Sequence, residues 1–101
     1  MRSLACALAL AVGATSAFAE DATVTIKNFD FNPMDVTITA GSSVTWKNDD
    51  GEPHTVTSVD GAFRSGALDT NQSFTFKFYK TGTYKYLCSI HPKMVGTVTV
   101  K

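Results

Sequence analysis

The sequence predicts an all-β domain, an antiparallel sandwich or barrel built from several short strands. Three observations carry that expectation. Apolar residues alternate with polar ones along most of the chain, and no stretch follows the helical period. Threonine and valine, which suit the pleated surface of a strand, are abundant in the alternating runs. Turn-forming pairs interrupt those runs at short intervals, as a sandwich of small strands requires.

The N-terminal segment stands outside this pattern. Met1-Arg2-Ser3 carries one positive charge, the stretch from Leu4 to Phe18 is alanine-rich and uncharged, and Ala17-Phe18-Ala19 has the small-x-small form of a cleavage site. Residues 1–19 therefore read as a secretory signal peptide cleaved after Ala19, and residues 20–101 as one domain exported to the periplasm. The apolar run is shorter than the ~20 residues a spanning helix needs, so no membrane insertion of the exported domain is expected.

The elements follow in order. Val24 and Ile26 alternate with threonine and lysine as a first strand, and Asn32-Pro33 marks a turn. Val36 and Ile38 form the next run, Ala40-Gly41 turns the chain, and Val44 and Trp46 mark another strand. Asn48 through Pro53 is a turn-rich loop, after which His54 opens a strand with Thr55 and Val56. Ser58 to Gln72 has mixed polarity and two glycines; it reads as a long connection with room for one short strand or helical turn. Phe74, Phe76 and Phe78 form an alternating stripe read as core, as is Trp46, because aromatic rings supply much of a small domain's burial. Tyr84, Tyr86 and Cys88 share one parity, expected to point inward, and Val98 and Val100 close the chain.

Composition narrows the function. The 101 residues hold 9 Lys+Arg and 9 Asp+Glu, and loss of Arg2 leaves the exported domain one net negative charge. That balance argues against nucleic-acid binding and against a polybasic membrane anchor. Of the two cysteines, Cys6 leaves with the signal segment, so Cys88 is left without an intramolecular partner. A lone cysteine in an exported domain calls for a chemical role. A domain this small also commonly needs a brace such as a metal.

That role is suggested by Cys88-Ser89-Ile90-His91-Pro92-Lys93-Met94. Cys88, His91 and Met94 recur at three-residue intervals, a spacing that lets a loop wrap three side chains round one point. Thiolate, imidazole and thioether form a soft-to-borderline donor set that suits copper better than zinc, calcium or magnesium. His54, the other histidine of the chain, lies where a neighbouring strand would bring it beside that loop. Two His, one Cys and a weak axial Met are the donors of blue-copper electron-transfer sites.

These residues resemble those of the cupredoxins, the small blue-copper proteins. The similarity runs from about Val24 to Lys101 and rests on Phe31-Asn32-Pro33, on Gly41 through Asn48, on Pro53-His54-Thr55-Val56, on Gly82 through Cys88 and on His91-Pro92-Lys93-Met94-Val95-Gly96. The short Cys-x-x-His-x-x-Met loop is most similar to the amicyanins, and the chain also resembles plastocyanins and pseudoazurins. The resemblance implies a Greek-key sandwich of about eight strands with one copper ion at one end. It assigns His54, Cys88 and His91 as strong ligands and Met94 as the axial one. Asn48, Thr55 and Ser89 would surround them, and the N–H of Thr55 is the candidate donor to the sulfur.

Three departures from the amicyanin pattern stand out. Thr55 replaces the Asn that usually follows the first ligand histidine and ties the ligand loops, so Thr55 is expected to reach Ser89 instead. Leu87 stands where plastocyanins have an exposed aromatic. Ile90 replaces the proline before the second histidine.

The implied function is a periplasmic, soluble, monomeric one-electron carrier that meets a dehydrogenase, cytochrome or oxidase transiently. The alternatives are a copper store or trafficking protein with the same site, and a metal-stapled structural module. An enzyme is not expected: two histidines cannot furnish further copper sites, and no nucleophile–base pair or phosphate loop is present. His91 is the expected electron port, ringed by Pro53, Ile90, Pro92 and Lys93, with Met34 or Phe29 beside them. Asp49, Asp50 and Glu52 on the other ligand loop read as a solvated face or as charges that steer a partner.

Overall fold

The computed structural model describes residues 21–101. The signal segment and its cleavage after Ala19 lie outside the described residues. Eight strands run in chain order: β1 (Asp21–Lys27), β2 (Asp30–Asn32), β3 (Asp35–Ile38), β4 (Ser42–Asn48), β5 (Thr57–Ser58), β6 (Ser73–Phe78), β7 (Gly82–Leu87) and β8 (Val95–Val100). They form two four-stranded sheets, ordered β2-β1-β4-β6 and β3-β8-β7-β5. No helix occurs among the described residues, so the room left for a helical turn in the Ser58–Gln72 connection is not used.

The inward residues are those of the expected parities. Val24 and Ile26 of β1, Val44 and Trp46 of β4, Tyr86 of β7 and Val98 and Val100 of β8 are buried in one core. Trp46 lies at its centre, stacked on Phe63 and edge-on to Tyr86, with ring centroids 5.6 and 5.3 Å away. Of the phenylalanine stripe only Phe78 is fully buried; Phe74 and Phe76 pack against the core but stay partly exposed. Strand β6 is an edge strand of its sheet, so its apolar face is covered less completely.

The pairing is not wholly antiparallel. β1 runs parallel to β4, with Val24 opposite Trp46, and β3 runs parallel to β8, with Val36 opposite Val98. The chain leaves the first sheet after the β1–β2 hairpin, contributes β3 to the second, then returns as β4 beside β1. Alternation puts the same residues inward whichever way a neighbour runs, so strand direction is invisible to it.

The Ser58–Gln72 connection is more ordered than its composition suggests. Phe63 and Leu68 are buried, and isolated bridges join Thr57 to Arg64 and His54 to Leu68. These contacts fold the connection back over the loop that precedes β5.

Candidate metal centre

The segments that follow β1, β4 and β7 converge at one place. The β1–β2 hairpin contributes Phe29, the loop after β4 contributes Asp50 and His54, and the turn after β7 contributes Cys88 and His91. His54 and Cys88 are fully buried, Met94 is nearly so, and His91 is half-buried.

The Cys88–Met94 segment closes on itself. The N–H of His91 donates to the Cys88 carbonyl at 3.2 Å, and that of Met94 to the His91 carbonyl at 2.9 Å. The N–H of Cys88 donates to the Met94 carbonyl at 3.1 Å. Cys88, His91 and Met94, at three-residue spacing, are thereby held on one tight segment.

His54 is fixed differently. Its backbone pairs with Leu68, giving 3.1 Å and receiving 2.7 Å hydrogen bonds. His54 therefore does not open a strand; β5 begins three residues later, at Thr57. The reason is where the intervening N–H groups go. That of Thr55 donates to Cys88 Sγ at 3.3 Å and that of Val56 to Ser65 Oγ at 2.8 Å, so neither joins a ladder.

The donor atoms meet. Nδ1 of His54 and Nδ1 of His91 each lie 3.8 Å from Cys88 Sγ. The three side chains offer ligand atoms all within 4.8 Å of one another. These separations exceed ordinary hydrogen bonds, yet they let one ion sit about 2 Å from each nitrogen and slightly farther from sulfur. Burial pushes the Cys88 thiol up, but the N–H of Thr55, the two imidazoles and the His91 N–H outweigh it and bring the thiol to about 6. The sulfur is thus prepared as a thiolate, the form that binds metal. Two imidazoles, a thiolate and a buried thioether fit copper by softness, whereas the thioether suits neither zinc nor a hard cation.

The surrounding residues divide the support. Thr55 Oγ1 lies 2.9 Å from Ser89 Oγ and accepts the Ser89 N–H at 2.8 Å, joining the two ligand loops. Asn48 touches no donor atom; its side chain donates to the carbonyls of Glu52 and Leu68, both at 2.8 Å, and accepts the Asp50 N–H at 2.9 Å. It holds both flanks of the loop that carries His54.

Asp50 belongs to the interior and not to a solvated acidic face. It is only 8% exposed, and its carboxylate lies 2.9 Å from Nε2 of His54. The same carboxylate accepts the N–H groups of Asn28 at 2.7 Å and Phe29 at 2.9 Å. Burial alone would raise the Asp50 carboxyl; the donors from Phe29, Asn28 and His54 reverse that and hold it below its ordinary value. Asp49, by contrast, is a part-exposed partner of Lys47 at 3.9 Å, and Glu52 is exposed. A carboxylate four residues before His54 was the only signal for Asp50, and in an acidic turn it does not stand out.

Around His91 the surface is a shallow groove lined by Phe29, Asp30, Ile90, His91, Pro92, Lys93 and Met94. Ile90 and Phe29 are exposed apolar side chains within it. Pro53 is exposed but does not line this groove, and Met34 lies in a separate depression with Val59 and Val95.

Comparison with known proteins agrees with this geometry. The family model described as a cupredoxin-like domain matches residues 2–100. The chain is 38% identical to amicyanin-alpha of Methylorubrum extorquens, an alignment that covers all of both chains. A purple cupredoxin from Nitrosopumilus maritimus superposes with a TM-score of 0.74 at 38% identity, over 80% of this chain and all of that one. An amicyanin variant in its Cu(I) form gives 0.76 at 28% identity, over 87% of this chain and 89% of that one.

Proposed function

Because the chain belongs to the cupredoxin-like family, we propose that it is a type 1 blue-copper protein that carries single electrons between redox partners in the periplasm. The observation that carries this reading is the convergence of His54, Cys88 and His91 within 4.8 Å, with Met94 buried and hydrogen-bonded through its backbone to Cys88 and His91. His54, Cys88 and His91 would hold the ion, with Met94 as the weak fourth ligand. A bound copper ion would supply a one-electron Cu(II)/Cu(I) couple.

The chain's own residues prepare that couple. The Thr55 N–H donates to the Cys88 sulfur and draws negative charge from it, which favours the reduced state. The donors sit on segments anchored by the two sheets, so little rearrangement is available when the charge of the centre changes. His91 is the most exposed of the three convergent donors, and the groove formed with Phe29, Ile90 and Pro92 is where a partner would dock. A small apolar patch of this kind suits a brief encounter rather than a stable complex.

Burial of His54, Cys88 and Met94 favours a retained ion over a delivered one, and so a carrier over a trafficking protein. The decisive test is the visible spectrum and voltammetry of the copper-loaded protein. An intense visible band that Cys88→Ser abolishes, together with a reversible one-electron couple, is the expected result. A colourless Cu(II) form or an irreversible couple overturns the reading.

A further inference from the structure

The β1–β2 hairpin turns through two residues, Asn28 and Phe29, with Lys27 opposite Asp30. Both turn residues have positive φ, 55° and 60°. Two-residue hairpins favour this conformation, but they favour Asn and Gly in it; a bulky aromatic at positive φ is disfavoured. Phe29 nevertheless occupies the second position, and its ring is not turned away into solvent. It stands edge-to-face against both imidazoles, with centroids 5.2 Å from His54 at 89° and 4.9 Å from His91 at 86°.

The support for this turn comes from the loop after β4. The Asp50 carboxylate accepts both N–H groups of the turn and reaches His54 Nε2 with Oδ2. Asp50 is itself held, because its N–H donates to Asn48 Oδ1 at 2.9 Å and its carbonyl accepts the Thr70 hydroxyl at 2.6 Å. One buried side chain therefore touches one histidine directly and places the ring that packs on the other.

We propose that Asp50 is a positioning residue that sets both histidines at once: it fixes His54 as the Nε2–H tautomer with Nδ1 turned to Cys88, and through Phe29 it restrains His91. This deepens the blue-copper reading and rests on it. A carboxylate that already accepts two N–H groups leaves His54 Nε2 the donor's part, and Nδ1 keeps its lone pair. Phe29 packs edge-on against the half-buried His91 ring and so limits its rotation away from the position beside Cys88. The disfavoured aromatic at a turn position is explained by that task.

The test compares the wild-type protein with Asp50→Ala, Asp50→Asn and Phe29→Gly. Glycine suits positive φ, so Phe29→Gly keeps or improves the turn while it deletes the ring. In the copper-loaded proteins the readout is the rate at which a competing chelator bleaches the visible band. Release about 10–100-fold faster is expected for Asp50→Ala, the scale on which loss of a ligand's hydrogen-bonded partner acts. Phe29→Gly should also release copper faster although its fold is undisturbed, and the Asp50→Ala/Phe29→Gly double variant should be less than multiplicative. Wild-type release rates in both single variants, or a fully multiplicative double, overturn the proposal.

In the metal-free proteins, nitrogen-15 NMR of His54 reads the tautomer without copper. Nε2–H in the wild type and a mixed or inverted population in Asp50→Ala and Asp50→Asn are expected; an unchanged tautomer overturns the proposal. A colourless wild-type protein would instead remove the blue-copper reading, and the NMR result would still decide the positioning role.

Discussion

The side chain of Thr55 bridges to Ser89 across the two ligand loops. Its Oγ1 accepts the Ser89 N–H at 2.8 Å and lies 2.9 Å from the Ser89 hydroxyl. The relation joins positions 34 residues apart in sequence, directly beside the first and second donors of the centre. Thr55→Val keeps the shape and removes the oxygen. It should destabilise the metal-free protein by about 1–2 kcal/mol in urea unfolding, since the Ser89 N–H loses its acceptor. Thr55→Asn, which can also span the loops, should lose less.

Gly96 is required by Tyr86. A Cβ on Gly96 would overlap the Tyr86 ring, which is buried against it and only 1% exposed. The ring is packed in the core and must shift to admit the methyl group, so Gly96→Ala should cost roughly 1–3 kcal/mol and lower the Tm of the metal-free protein. A thermal melt unchanged by the substitution would mean that the ring yields freely.

Tyr86 also predicts an alkaline limit to stability. Burial, with the Asp35 charge acting the same way, pushes its phenol from 10.0 up to about 12 against an opposing pull from the Trp46 indole. Between those values the unfolded chain releases the proton while the folded chain keeps it, so stability falls as pH rises from 10 to 12. Below pH 10 this contribution is complete and flat. Tyr86→Phe should remove that part of the decline, seen as the difference between the two proteins in denaturant melts. Near neutral pH the substitution should be close to neutral or stabilising, because among the described residues the Trp46 indole lies near the buried Tyr86 hydroxyl without forming a hydrogen bond to it, so none is lost.

Met94 is buried, and its N–H and carbonyl are both committed to the Cys88–His91 turn. Met94→Gln leaves the backbone bonds intact and exchanges a soft sulfur for a harder oxygen donor. Copper should be retained and the reduction potential should fall, as measured by voltammetry, because oxygen favours Cu(II) more than thioether does. An unchanged potential would remove Met94 from the ligand set.

Much of the strand pattern was legible because it is local. Val24, Ile26, Val44, Trp46, Val98 and Val100 declare themselves by alternation, and each is buried. The meeting of Cys88 with His91 was legible for the same reason, as only Ser89 and Ile90 lie between them. The Thr55–Ser89 bridge could be anticipated only from where other cupredoxins have asparagine. Asp50 reads in sequence as a surface charge, yet it is buried: nothing near it in sequence shows that two N–H groups, 22 and 21 residues away, converge on its carboxylate. Phe63 and Leu68 were hidden in a segment of mixed polarity, and their burial depends on the connection folding back over His54.

The sequence by itself determined which residues face inward along each strand and which donor chemistries the chain can offer a metal. Both follow from side-chain type and from spacing within a few residues. Only the tertiary structure decided that β1 and β4 run parallel, that Asp50 is inside while Asp49 is not, and that Phe29, not Met34, stands over the histidines. Those outcomes depend on desolvation and on hydrogen bonds between distant segments, which exist only once the two sheets have closed.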